Sequence, residues 1–189
     1  MRAPTHHRTT VAAKPDGSLR VGVVADTHSH PNARGLEHLA ALAPDVILHA
    51  GDIGDLSVLD TFHAIAPTLA VRGNIDERSA REVPDALTVE LTDQGHPVLT
   101  LLLTHIALGG PKIRADAARL ARAQKASLIV CGHSHVPFAG VDRGLTVFNP
   151  GSIGPRRFTL PILFGVLELS RTGVQVRHVD CETGRRWEP

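Results

Sequence analysis

Apolar positions recur in short blocks along the chain, and the spacing within each block predicts an element. Leu19-Arg20-Val21-Gly22-Val23-Val24 is rich in β-branched residues and reads as a buried strand. From Asn32 to Ala43, the residues Ala33, Leu36, Leu39, Ala40 and Ala43 fall at helical spacing. Asp45 to Ala50 reads as a second strand. Ser57 to Ile65 reads as a second helix, capped by Asp55 or Ser57 and stopped before Pro67. Thr68 to Val71 is a third strand. This alternation of strands and helices predicts a parallel sheet with right-handed crossovers. The pattern then changes. Leu87 to Leu91 alternates, Asp93-Gln94-Gly95 is a turn, and Pro97 to Leu103 is a longer apolar strand, which together predict a hairpin. Lys112 to Gln124 returns to helical periodicity, and Ala126 to Val130 is a strand. Val136 to Val141, Leu145 to Phe148, Ile162 to Leu169 and Val174 to Val179 read as later, mostly antiparallel strands. Residues 1–18 are polar and read as a disordered leader with solvated His6 and His7. Residues 19–189 then form a single α/β domain.

Composition narrows what such a domain can serve. At 189 residues the chain supports one substantial core. Lys plus Arg number 20 and Asp plus Glu 19, so the formal charge of +1 offers no general surface for a polyanion. Aromatic residues make up 3%, too few for a platform that stacks single-stranded nucleic acid. Extended nucleic acid is therefore not an expected partner. No stretch reaches the roughly 20 apolar residues of a membrane helix, and the polar N-terminus is no secretory signal. Cys131 and Cys181 make no disulfide scaffold. The expected setting is cytoplasmic, without a membrane partner. The unusual count is 12 His against one Met and one Trp, and His is the commonest metal ligand among side chains.

Position gives those histidines their meaning. Strand after strand ends in a short polar cluster: Asp26-Thr27-His28, Gly51-Asp52, Gly73-Asn74, Thr104-His105 and Gly132-His133-Ser134-His135. In open α/β sheets ligands bind outside the carboxyl ends of the strands. Asp26, His28, Asp52, Asn74, His105, His133 and His135 thus converge on one edge. A mixed oxygen and nitrogen shell suits Mn²⁺, Fe, Ni²⁺ or Zn²⁺ better than Ca²⁺. In extended backbone, residues two apart point the same way, so Asp26 with His28, and His133 with His135, each aim two ligands into one cavity. Glycines 51, 73 and 132 let the backbone turn tightly. Seven ligands suit two ions with a bridging carboxylate. Two divalent ions, two aspartates and one hydroxide leave about +1, which attracts a phosphodiester. A pair of ions also activates water and clamps phosphate for in-line attack.

Asp26-x-His28, Gly51-Asp52, Gly73-Asn74, His105 and Gly132-His133-x-His135, followed by Asn149-Pro150-Gly151-Ser152, resemble the calcineurin-like metallophosphoesterase superfamily. The resemblance spans about Arg20 to Val179. Its size and lack of a cap domain are similar to the small bacterial and archaeal phosphodiesterase branch, which includes the catalytically weak or inactive retromer subunit of eukaryotes. The resemblance implies a four-layer α/β/β/α sandwich. It assigns Asp26, His28 and His135 to one metal, Asn74, His105 and His133 to a second, and Asp52 as the bridge. Asn74, Asp52 and His105 are then catalytic, with Asn74 also touching the phosphate. The implied cofactors are two divalent ions, Mn²⁺ favoured over Fe, Ni²⁺ or Zn²⁺. The implied activity is phosphodiester hydrolysis, in which a metal-bridging hydroxide attacks phosphorus in a small phosphodiester substrate. A phosphomonoesterase on the same site and a non-catalytic protein-binding scaffold are the alternatives. Members of the branch are often dimers or tetramers, which puts a homo-oligomer among the implied partners.

Two departures from the family pattern bear on chemistry. The superfamily often carries Gly-Asn-His-Asp/Glu, but here Gly73-Asn74-Ile75-Asp76 stands, and Ile75 cannot donate a proton. Good leaving groups are therefore expected. The branch commonly has His-Gly-His where this chain has His105-Ile106-Ala107, which removes a polar group beside the site. Arg156 and Arg157 are the candidate phosphate-binding residues, because guanidinium matches two phosphate oxygens. Asp76 reads equally as an orderer of the Asn74 loop and as a plain turn cap. His49 reads as structural.

Overall fold

Side-chain alternation along the strands sorts one chain into three apolar cores. The computed structural model describes residues 4–76 and 80–188. The order begins β1 (His6–Ala12), β2 (Leu19–Val24), α1 (Ala33–Ala41), β3 (Val46–His49), α2 (Ser57–His63), β4 (Thr68–Ala70). It continues with β5 (Ala86–Asp93), β6 (His96–Thr104), the short β7 (Leu108–Gly109) and β8 (Lys112–Ile113), α3 (Ala115–Ala123) and β9 (Leu128–Val130). β10 (Phe138–Asp142), β11 (Leu145–Asn149), β12 (Leu163–Ser170), β13 (Gly173–Asp180) and β14 (Arg186–Trp187) complete it.

Two six-stranded sheets result, ordered β14-β13-β12-β2-β3-β4 and β1-β5-β6-β9-β11-β10. Val21 and Val23 of the first sheet meet Leu101, Leu103, Leu128 and Val130 of the second in a core between them. The alternate positions face outward. Val24 and Ile47 pack with Leu39 of α1 and with Val58 and Phe62 of α2. Leu102 and Ile129 pack with Ala117, Ala118 and Ala121 of α3. The layers are therefore α/β/β/α, the expected sandwich. Each buried Val, Leu or Phe contributes roughly 1.5–3 kcal/mol. Gly22 brings α1 close, since a Cβ there would stand 2.7 Å from Leu39 Cδ1.

β2, β3 and β4 are parallel, and β5 with β6 forms the expected hairpin. The second half is less antiparallel than its sequence suggests. β9 runs parallel to both β6 and β11, because α3 returns the chain across the sheet. Lys112 and Ile113 belong to a short strand pair before α3, not to the helix. Neither Asp55 nor Ser57 is the cap residue of α2. Leu56 holds that place, while Asp55 Oδ1 accepts the Ser57 N–H at 2.9 Å.

The expected disordered leader is corrected by β1. His6 to Ala12 pair in parallel with β5. Asp85 Oδ2 accepts the Thr5 N–H at 2.6 Å, and His6 Nε2 lies 2.8 Å from Thr88 Oγ1. Val11 adds to the core between the sheets. Only the partner strand, about 80 residues away, makes these polar residues a strand. Among the described residues, no helix is long and apolar enough to cross a membrane.

Candidate metal centre

The carboxyl ends of β2, β3, β6 and β9 meet at one rim of the sandwich, and the backbone turns sharply there. Asp26, His28, Asp52, His133 and His135 all have φ between 45° and 72°. The side chains therefore converge through left-handed turns, not through the extended i, i+2 geometry expected. Such backbone costs about 1–2 kcal/mol per residue, so neighbouring bonds must hold it. Asp26 N–H donates to Gly51 O at 2.9 Å and His28 N–H to Asp52 O at 3.0 Å. The Asp26 carboxylate accepts the His133 N–H at 3.0 and 3.1 Å. Of the three turn glycines, Gly51 alone is left-handed, at φ +91°. Gly73 and Gly132 serve by close approach. A Cβ on Gly73 would collide with Asp52 Oδ1, and one on Gly132 would stand 2.9 Å from Asp26 Oδ2.

Two groups of donor atoms form at this rim. Asp26, His28 and His135 have ligand atoms within 4.8 Å of one another, and so do Asp52, His105 and His133. The groups touch through Asp52. Its Oδ1 lies 3.2 Å from His105 Nε2, and its Oδ2 lies 3.7 Å from His28 Nε2. Asn74 Oδ1 lies 3.2 Å from His105 Nε2 and 3.0 Å from His133 Nδ1. All seven expected residues are thus brought together.

The donor set fits a divalent cation. His105 Nδ1 lies 2.8 Å from Ala50 O, so that nitrogen carries the proton and Nε2 faces inward. His28 Nε2 and His135 Nε2 stand 3.3 Å apart, with Asp26 Oδ1 3.5 Å from His135 Nε2. Electron-pair donors crowd here, and a cation among them satisfies more of them than the few protons they can share. His135 Nδ1 is buried without a hydrogen-bond partner.

Electrostatics agree with that fit. Burial pushes the Asp26 carboxyl up to about 7. Burial acts the same way on Asp52, but the hydrogen bond and charge of His105, the Ile75 N–H and the His28 charge together outweigh it and hold Asp52 at about 2. His105 is raised in turn: burial opposes its charge, and the Asp52 hydrogen bond, the charges of Asp26 and Asp52 and the Ala50 carbonyl together more than restore it. Burial lowers His28 and His133, and burial with the Arg157 charge lowers His135 to about 4.

Residues 19–172 match the calcineurin-like phosphoesterase superfamily domain. The chain belongs to that superfamily. Over 171 residues it is 30% identical to the probable metallophosphoesterase YsnB of Bacillus subtilis, covering 86% of this chain and 91% of that one. Its fold is similar to that of vacuolar protein sorting 29 from Cryptosporidium parvum, with a TM-score of 0.72 at 18% identity over 91% of this chain and 96% of the other. An archaeal phosphodiesterase gives 0.63 at 20% identity over 86% and 99%. These two likenesses concern the fold alone.

In this superfamily member the two arginines part company. Arg157 reaches the site, its guanidinium donating to His28 Nε2 at 3.2 Å. Arg156 does not, because Glu182 holds it at 2.7 Å. His49 is structural, as read. It accepts the Gly51 N–H at Nδ1 (3.2 Å), which leaves Nε2 to donate to Thr27 Oγ1 (3.0 Å), and Thr27 Oγ1 donates onward to Ile53 O (2.9 Å).

Three supporting residues brace the centre; of these only Asp76 was legible from sequence, as one of two readings, and the loop-ordering one holds. Asp76 is fully buried and accepts the N–H groups of Gly73 (2.8 Å), Gly54 (2.9 Å) and Ile53 (3.0 Å), so it ties the Asp52 loop to the Asn74 loop. Asn149 Nδ2 donates to Gly132 O at 2.8 Å, and Ser152 Oγ donates to Asp26 O at 3.0 Å. The Asn-Pro-Gly-Ser motif was the available signal, and its work is to brace the loops around the centre.

Proposed function

We propose that this chain is a dinuclear metal-dependent phosphodiesterase. One observation carries the reading: the two oxygens of Asp52 face two different donor groups, as a bridging carboxylate must. Asp26, His28 and His135 would hold one divalent ion, and Asn74, His105 and His133 the other. Mn²⁺ is the proposed ion, and Fe, Ni²⁺ and Zn²⁺ suit the same donors. Bound there, such ions make water more acidic and offset the charge that builds on phosphorus.

The chain's own groups do the rest. The Ala50 carbonyl fixes the His105 ring by holding its Nδ1–H. Asn74 is exposed at the mouth and can meet a phosphoryl oxygen. The phosphate–oxygen bond to the leaving alcohol breaks as the water oxygen bonds to phosphorus, and the departing oxygen needs a proton. Ile75 supplies none, and Asp76 is wrapped by three backbone N–H groups. Protonation therefore falls to water, which favours good leaving groups and diesters over monoesters.

Metal-stripped protein, restored with each ion in turn, should hydrolyse bis(p-nitrophenyl) phosphate faster than p-nitrophenyl phosphate. Elemental analysis should find two ions per chain, and Asp52→Asn should cost at least about a hundredfold in kcat. Two bound ions with no turnover of either ester would move the reading to the non-catalytic scaffold. Faster turnover of the monoester would establish the phosphomonoesterase.

A further inference from the structure

Three bare apolar residues each follow, in the chain, a residue of the polar centre. Ile75 follows Asn74, Val136 follows His135, and Phe158 follows Arg157; they are 44%, 47% and 94% exposed. They come from three separate loops. Phe158 is the extreme case, because its backbone is also left-handed, with φ +52°. A bulky residue in that conformation carries strain, and at 94% exposure it gains almost no packing to offset it. Strain retained without a structural return points to function. Its neighbour shows where the function lies. The Arg157 side chain enters the centre as far as His28 Nε2, at 3.2 Å, and Phe158 is the next residue in the chain.

A phosphodiester has an anionic phosphoryl core and two organic arms. The donor groups and the Arg157 guanidinium suit the anion. The exposed side chains of Ile75, Val136 and Phe158, each next to a residue of the centre, suit an arm with a flat apolar face, which gains contact on an aromatic side chain. An aromatic alcohol also departs with a pKa near 10, as the tyrosine phenol does, and so depends less on the proton donor that Ile75 fails to supply.

We propose that Arg157 and Phe158 form a substrate-recognition step, and that the substrate is a phosphodiester bearing an aromatic ester arm which rests on Phe158. This rests on the phosphodiesterase reading above. The test separates the two by measuring binding apart from turnover. Calorimetric titration of the Mn²⁺-loaded protein with diphenyl phosphate and with dimethyl phosphate should show a clear preference for the diphenyl ester. Phe158→Ser should cut that preference about three- to tenfold. Val141→Ser removes another bare side chain, 73% exposed at the Arg143-Gly144 end of β10, and should leave the preference intact. Equal binding of the two esters, or an unchanged preference in Phe158→Ser, overturns the proposal. So does sedimentation showing that Phe158→Ser dissociates an oligomer, since the ring then serves contact between copies. Absent hydrolysis of bis(p-nitrophenyl) phosphate alongside a Phe158-dependent aryl preference would sink the catalytic reading and leave the recognition step in place.

Discussion

Asp76 sets a geometry without facing the reacting centre. Its two oxygens accept three backbone N–H groups from the loops that carry Asp52 and Asn74. Asp76→Ala would strand those donors in a buried place and should cost about 2–4 kcal/mol, seen as a lower urea midpoint and fewer ions bound per chain. His49 makes a second prediction, on pH. Burial holds its imidazole down at about 3 in the folded protein, while an unfolded histidine titrates near 6.5. Between those values the unfolded chain binds more protons. Stability should therefore fall as pH drops from about 6.5 toward 3, by at most ~1.4 kcal/mol per unit. Asp26 acts the other way in metal-free protein, since its folded carboxyl titrates at about 7, above the usual 3.9. Its share of stability grows as pH falls from 7 toward 4. Comparing His49→Gln with the parent at each pH cancels Asp26, and the variant should show the flatter acid limb. The seven donor residues were legible because each sits just past an apolar strand. The full reach of Asp76 was not, because two of its three N–H donors, Ile53 and Gly54, lie about 20 residues away and only the folded loops bring them near.

Elements with a strong local pattern were the easiest to read. α1 has its apolar stripe and the Asn32 side chain accepting the Gly35 N–H at 2.8 Å, so its sequence alone places it. β1 lacks such a pattern, since five of its seven residues are polar or charged on an edge that only β5 defines. Removing residues 1–12 should cost about 1–3 kcal/mol, chiefly through lost Val11 burial, read as a lower denaturation midpoint with the ion count unchanged. β12 carries a tighter constraint. A Cβ on Gly165 would collide with the Phe148 ring and stand 3.1 Å from Pro150 Cβ. Gly165→Ala should therefore cost about 1–3 kcal/mol by overpacking, and circular dichroism on heating would register it.

At the scale of the molecule, each donor group draws on both sheets. Asp26 and His28 follow β2 of one sheet, while His135 follows β9 of the other. Asp52 follows β3, while His105 and His133 follow β6 and β9. Bound ions would therefore clamp the sheets together. Chelation should lower stability by about 2.7 kcal/mol for each site that had been held at a hundredfold excess over its Kd, and calorimetric scans with and without chelator would measure the loss. The two thiols lie on opposite flanks of that clamp. Cys181 packs in the layer of α1 and α2, and Cys131 in the layer of α3. Burial pushes both up to about 12, so an alkylating reagent finds almost no thiolate in the folded protein. Each flank thus carries its own silent timer, which starts only when that flank lifts. The order in which the two cysteines are alkylated in dilute denaturant, followed by mass spectrometry, will tell which helical face of the sandwich peels away first.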